Sequence, residues 1–287
     1  MEHSLTTEMS ASARTWGALW GDRPDAWAVT EEQQTPVYDA ALRCLGLRPD
    51  MRVLDVGCGT GVFLRMCADR GLTVSGLDAA AGLLEIARER VPEADLRAGD
   101  LQALPYDDDS FDVVTGFTSF FFADDMVAAL REAARVARRA APVVIQAFGR
   151  PEQCELEAVK LAVAAYRPGG TEEQYWRPGI VDELAVAAGL EIERSFDITY
   201  AYEYPDADAL ASAMLAAGGA AAVAGPENET ALREDIIRAL AGSRQADGGY
   251  RVSNEWHIVV ARARVYAAPR RLAARRLAAD AIARAKV

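Results

Sequence analysis

The sequence predicts an α/β fold: a doubly wound sheet of seven strands, mostly parallel with an antiparallel last strand, plus helical cap insertions. Three observations predict it. Short apolar runs alternate with helix-length stretches between residues 52 and 148, the pattern of βαβ units around a parallel sheet. Right-handed crossovers bring the ends of those runs, at Gly57, Asp78, Asp100 and Phe117, to one edge. Beyond residue 150 the alternation stops, and two further strands enclose a long helical insertion.

The elements follow in order. Residues 1–15 are expected to be loosely attached, and 16–47 helical, with Trp16, Trp20 and Trp27 early in the segment. Arg48-Pro49-Asp50 is a turn. Strand 52–56 leads into helix 60–70, which stops at Gly71. Strand 72–77 reaches Asp78, and helix 80–90 stops before Pro92. A short strand at 94–98 precedes Gly99-Asp100, and Asp107-Asp108-Asp109 form a solvated turn. Strand 111–117, helix 124–139 and strand 142–148 complete a core over 48–150. In 151–263, helix 179–188 ends at Gly189 and strands run over 190–202 and 250–263. Cap insertions are expected at 151–178 and 203–250, and a basic helical tail at 264–287.

The chemistry concentrates in Val53-Leu54-Asp55-Val56-Gly57-Cys58-Gly59-Thr60-Gly61. A buried strand breaks there into a glycine turn, which lets a ligand approach bare backbone. The glycines at 57, 59 and 61 follow GxGxG. The dinucleotide fingerprint needs a glycine where Val62 stands, so an NAD-linked oxidoreductase is disfavoured. Asp78, at the end of the next strand, suits a ribose diol, because a carboxylate accepts from both hydroxyls.

This constellation resembles the class I S-adenosylmethionine (SAM) dependent methyltransferases, whose core is a Rossmann-like sheet. The resemblance rests on Leu54 to Gly61, Gly76-Leu77-Asp78, Gly99-Asp100-Leu101, Leu104-Pro105-Tyr106 and Ser110-Phe111-Asp112-Val113-Val114. It implies that Asp55 with Gly57, Cys58, Gly59 and Gly61 holds the methionine end of SAM. Asp78 and Ala79 would meet the ribose, and Asp100, Leu101 and Gln102 the adenine. Phe117 would lie beside the cofactor, and Trp20 would close over it. SAM carries a sulfonium and an ammonium, so acidic surroundings suit it. Its carboxylate is expected at the N-terminus of helix 60–70. The intact loop argues against a non-catalytic SAM-binding regulator.

Acceptor-side candidates are aromatic. Phe120-Phe121-Phe122 follows the fourth strand, and Phe120 and Phe121 are the expected pocket residues. Tyr166, Tyr175 and Trp176 flank a Gly/Pro-rich segment, and Tyr202 alternates with Tyr200 and Tyr204 on one strand face. These residues favour a flat, aromatic or indole-like small-molecule acceptor, and the resemblance implies a place in specialised metabolism. His257 is the candidate general base, with Glu255 on its strand face as a carboxylate partner.

Composition bounds the rest. Net charge is −12, but residues 262–287 carry about +7, which leaves about −19 on the body. Such a body disfavours nucleic acid. The four cysteines show no CxxC spacing, so neither a zinc site nor a disulfide framework is expected. Without a second histidine in the body, no metal is expected either. No secretory pattern and no bilayer-length apolar run occur, so a cytoplasmic location without membrane contact is expected. The tail is expected to pack as a homodimer arm.

Overall fold

A computed structural model describes residues 9–167 and 178–263. The expected tail helix and the candidates Tyr175 and Trp176 lie outside the described residues.

Seven strands form one sheet in the order β3-β2-β1-β4-β5-β7-β6. They are β1 (Arg52–Val56), β2 (Thr73–Asp78), β3 (Asp95–Ala98), β4 (Val113–Phe117), β5 (Pro142–Phe148), β6 (Leu190–Tyr204) and β7 (Tyr250–Ala263). The first five pair in parallel, and β7 runs antiparallel to both β5 and β6. The order reverses beside β1, so the carboxyl ends of β1 and β4 open a crevice there. The central parallel strands are buried on both faces, as a doubly covered sheet requires: every residue of β4 is buried, whereas the edge strand β3 is largely exposed.

The N-terminal segment is three helices, not one: α1 (Ala11–Gly21), α2 (Pro24–Glu31) and α3 (Thr35–Cys44), with a 3₁₀ turn at Glu32–Gln34. Pro24 and Pro36 break the run, because each lacks an N–H and sits in a first helical turn. Ser10 caps α1 through its side chain, which accepts from the Ala13 N–H. Next come α4 (Val62–Ala68), α5 (Ala81–Arg90) and α6 (Met126–Val136), the last capped by Asp125. Helices α7 (Leu156–Ala164) and α8 (Pro178–Ala187) precede β6. Helices α9 (Ala207–Ala216), α10 (Gly218–Ala221) and α11 (Glu229–Ala239) lie between β6 and β7, so the last two strands form a hairpin carrying a helical insertion.

Two apolar cores flank the sheet. One joins α3, α4 and the insertion to Val53, Trp256, Ile258 and Val260. The other joins α6 and α8 to Leu54, Val114, Val259 and Ala261. Strand alternation therefore sends Trp256 to the insertion side and His257 to the α8 side.

Candidate active site

The glycine loop leaves β1 beside β2. The Gly57 and Cys58 N–H groups donate to the Leu77 carbonyl at 2.7 and 3.0 Å. Gly59 donates to Asp78 Oδ2 at 2.9 Å, and Ala80 to Asp78 Oδ1 at 2.8 Å. Each Asp78 oxygen keeps a second lone pair for a ligand hydroxyl. Asp55 is 2% exposed and accepts from Thr115 Oγ1 at 2.6 Å. Burial pushes its carboxyl well above the usual range, Glu31 and Asp78 push the same way, and Thr115 opposes. Burial also raises Asp78, against the N–H groups of Ala80 and Gly59.

Glu31, at the end of α2, is a site residue that the sequence reading missed. Its carboxylate accepts from the Thr60 N–H at 2.9 and 3.1 Å and from Trp27 Nε1 at 3.1 Å. It occupies the Thr60 N–H, one of the backbone donors just ahead of α4. Burial pushes its carboxyl up to about 7, with Thr60 and Arg90 opposing and Asp78 adding to the rise. Gly59 has φ +54, a left-handed value that favours glycine, and Glu31 Oε2 would lie 2.5 Å from a Cβ there. Little in the sequence marks Glu31; its one signal is an acid four residues after Trp27.

A cavity of ≈ 100 Å³ lies over this loop. Asp55, Gly57, Cys58, Gly59, Asp78, Ala79, Leu101 and Phe117 line it, with Glu31. Trp16, Gly17 and Trp20 of α1 and Phe122 cover it. Gly17 lets α1 sit directly on the loop after β2, since a Cβ there would lie 2.4 Å from the Ala79 carbonyl oxygen. Gly61 is the N-cap of α4 and is outside the lining. Asp100 and Gln102 are also outside it. Asp100 accepts from the Ser10 N–H at 3.0 Å and the Gln102 N–H at 2.9 Å, which ties down the start of α1. Burial pushes Asp100 up, but those hydrogen bonds outweigh it and hold it below the usual range. Gln102 accepts from the Asp125 N–H at 2.8 Å. Both side chains hydrogen-bond to loop backbone, and neither lines the cavity.

A second, apolar cavity of ≈ 170 Å³ adjoins the first. Trp20, Trp27, Gln34, Thr118 and Phe122 line both. Phe121, Phe148, Val159, Val163, Tyr202, Met214 and Trp256 form the larger apolar part of the remaining wall, and Glu157 pairs with Lys160 at 2.7 Å on the α7 side. Thr118 holds φ 49, a strained value for a β-branched residue, where the two cavities meet.

Several acceptor-side expectations change. Phe120 faces the opposite core, packed against Gly116 and α6, because the 3₁₀ turn at Phe120–Phe122 splits the three rings between the faces. Phe121 and Phe122 take the pocket positions, and Phe122 meets the Trp16 and Trp20 rings at 4.8 and 5.5 Å. Tyr166 donates to Asp235 Oδ2 at 2.7 Å, linking α7 to α11 outside both linings. His257 lies across the sheet, between Asp197 at 2.6 Å and Asp182 at 2.9 Å. It lines neither cavity, and its carboxylates come from β6 and α8, not from Glu255. Glu255 instead holds Arg150 at 2.5 Å. No His/Cys/Asp/Glu cluster suited to a metal occurs among the described residues.

The site residues fit SAM on their own chemistry. Three buried or half-buried carboxylates face one cavity, suited to a cation, and Asp78 keeps lone pairs for a diol. Comparison with known proteins agrees. Residues 54–145 match the family model described as a methyltransferase domain. A demethylmenaquinone methyltransferase of Renibacterium salmoninarum is 34% identical over 145 residues, 45% of this chain and 61% of that one. A 27-O-demethylrifamycin SV methyltransferase of Amycolatopsis mediterranei is 35% identical over 133 residues, 42% and 49% of the two chains. The chain thus spans about half to three fifths of the length of these curated relatives. In fold, it is similar to a Bacillus halodurans protein described as a candidate methyltransferase, with TM-score 0.56, 16% identity, and 78% and 97% of the two chains covered. Residues 54–145 thus match the methyltransferase domain model, within a sheet of Rossmann-like fold shared with that structural neighbour.

Proposed function

We propose that the whole chain is a SAM-dependent methyltransferase for a flat, aromatic, largely apolar small molecule of specialised metabolism. The observation that carries this reading is the pair of adjoining cavities, one glycine-lined and acidic, the other aromatic. The relatives named for demethylmenaquinone and demethylrifamycin support an aromatic acceptor by analogy. SAM, when bound, supplies a sulfonium methyl group that an acceptor nucleophile takes by in-line displacement, leaving a neutral thioether.

The protein's own residues orient and exclude water. Asp78 takes the ribose hydroxyls, and Asp55 and Glu31 face the cation. Trp16, Trp20 and Phe122 close the cofactor cavity from the α1 side, so the reacting groups meet away from solvent. His257 plays no part in proton removal, because the sheet separates it from both cavities. The cysteines at 44, 58, 67 and 154 are free thiols, which supports a cytoplasmic location.

Incubation with methyl-tritiated SAM and a panel of bicyclic phenols and indoles tests this reading. Label should pass into an organic-extractable product with at least one such acceptor. Label that appears only with polar, non-aromatic acceptors would overturn the aromatic assignment.

A further inference from the structure

Methyl transfer joins a donor in one cavity to an acceptor in the other, so the reacting atoms meet where the cavities join. Five residues line both cavities: Trp20, Trp27, Gln34, Thr118 and Phe122. Four of them offer a ligand little polar contact there. Phe122 has no polar side-chain atom, Trp27 Nε1 donates to Glu31, Trp20 Nε1 is sealed inside the wall, and Gln34 is 2% exposed. Thr118 differs. It is half-buried, its hydroxyl has no hydrogen-bond partner among the described residues, and water can reach that hydroxyl. The same residue holds φ 49, which a β-branched side chain rarely adopts. Its surroundings impose that value. The Thr118 N–H donates to the Gln146 carbonyl on β5 at 3.2 Å, and Ser119 Oγ donates to the Val56 carbonyl at the end of β1 at 2.5 Å. Gly57 makes room for this turn, since a Cβ there would lie 2.3 Å from the Ser119 Cβ. Strain held from both sides, at the meeting point of two cavities, points to function.

We infer that the Thr118 hydroxyl binds the reacting group of the acceptor, and that this group is an O–H or N–H, so that transfer goes to oxygen or nitrogen. This rests on the methyltransferase reading above and adds the class of the reacting atom to it. A threonine hydroxyl accepts as well as donates. By accepting from the acceptor's O–H or N–H, it leaves a lone pair of that atom free to face the cofactor cavity. Transfer joins this lone pair to the methyl carbon, returns the carbon–sulfur pair to sulfur and releases the acceptor proton to solvent. Thr118 aligns the acceptor and does not deprotonate it, because an alcohol is too weak a base to keep the proton. A ring carbon as nucleophile brings no such donor and leaves the hydroxyl unpaired in the closed site, which disfavours it.

Equilibrium dialysis of 2-naphthol and 2-methylnaphthalene with protein saturated in S-adenosylhomocysteine tests this. The two probes match in shape and differ in the O–H. The ratio of their affinities, naphthol over methylnaphthalene, should be about fivefold or more higher in wild type than in Thr118→Val, which keeps the β-branched shape and loses the hydroxyl. Thr118→Ser, which keeps the hydroxyl, should stay within about twofold of the wild-type ratio. Thr118→Gly relaxes the positive φ and should behave as Thr118→Val does, which separates the hydroxyl from the backbone strain. The label found on the product of the acceptor panel above should sit on oxygen or nitrogen. Equal ratios in wild type and Thr118→Val would overturn the inference, as would a Thr118→Ser protein that behaves like Thr118→Val or label on a ring carbon. Loss of S-adenosylhomocysteine binding in Thr118→Val would assign Thr118 to the cofactor and likewise overturn it. Failure of wild type to bind S-adenosylhomocysteine would instead count against the methyltransferase reading.

Discussion

The two cavities are built differently. The cofactor cavity draws Asp55, Gly57, Cys58, Gly59, Asp78, Ala79, Leu101 and Phe117 from consecutive strand ends of one parallel sheet. The acceptor cavity draws Trp27 and Gln34 from the N-terminal helices, Phe121 from the turn after β4, Val159 from α7, Met214 from α9 and Trp256 from β7. The first is polar and held by backbone hydrogen bonds, and the second is apolar and held by packing. Short-range backbone geometry can be read from residue spacing, whereas a wall assembled from five distant segments depends on how those segments fold together.

Substitutions should separate the cavities, and the largest effect belongs to the cofactor side. Asp78→Ala removes a carboxylate with both oxygens in use and should weaken SAM and S-adenosylhomocysteine by roughly 10–100-fold, while naphthol binding changes little. Equal losses for both ligands would mean that the cavities are not separable. Next is the pH dependence of Glu31. Its carboxyl is raised to about 7, so its negative charge develops as pH rises through neutrality. SAM, which carries the sulfonium, should gain on S-adenosylhomocysteine between pH 6 and 8, and Glu31→Gln should flatten that gain. An unchanged ratio in wild type would remove Glu31 from the cation's surroundings. The same raised value means that Glu31 favours the folded state below its unfolded value near 4.5, and this contribution is lost as pH rises through about 7.

A smaller effect is expected across the sheet. Burial alone would lower the His257 imidazole, but Asp182 and Asp197 raise it. Its contribution to stability is therefore present below the unfolded value near 6.5 and lost as pH rises through the folded one. His257→Ala should cost about 1–2 kcal/mol of unfolding free energy at pH 6, and less at pH 8, with ligand affinities unchanged. Urea titration at the two pH values measures this, and a loss of methyl transfer without a loss of stability would return His257 to the site.

The sequence reading reached the strands of the sheet and the glycine loop because strand ends there carry local signals: glycine spacing at 57–61, and an acid at Asp78. It failed where tertiary contact decides. Asp100 and Gln102 are acid and amide at a strand end, yet α1 and the start of α6 claim their hydrogen bonds. Phe120 and Phe122 have the same side chain two positions apart, and only the 3₁₀ turn decides which of them meets the ligand. His257 and Trp256 are adjacent, so β7's pleat alone sends one to each face. Glu31 and Gln34 become site residues because Pro24 and Pro36 divide the N-terminal segment and fold α2 over the loop.

The most direct test of the account is calorimetric titration of the full chain with S-adenosylhomocysteine and, separately, with NAD. Micromolar binding of the first, weakened by Asp78→Ala, with no heat from NAD, is the predicted result. Well-folded protein that binds NAD and not S-adenosylhomocysteine would contradict it.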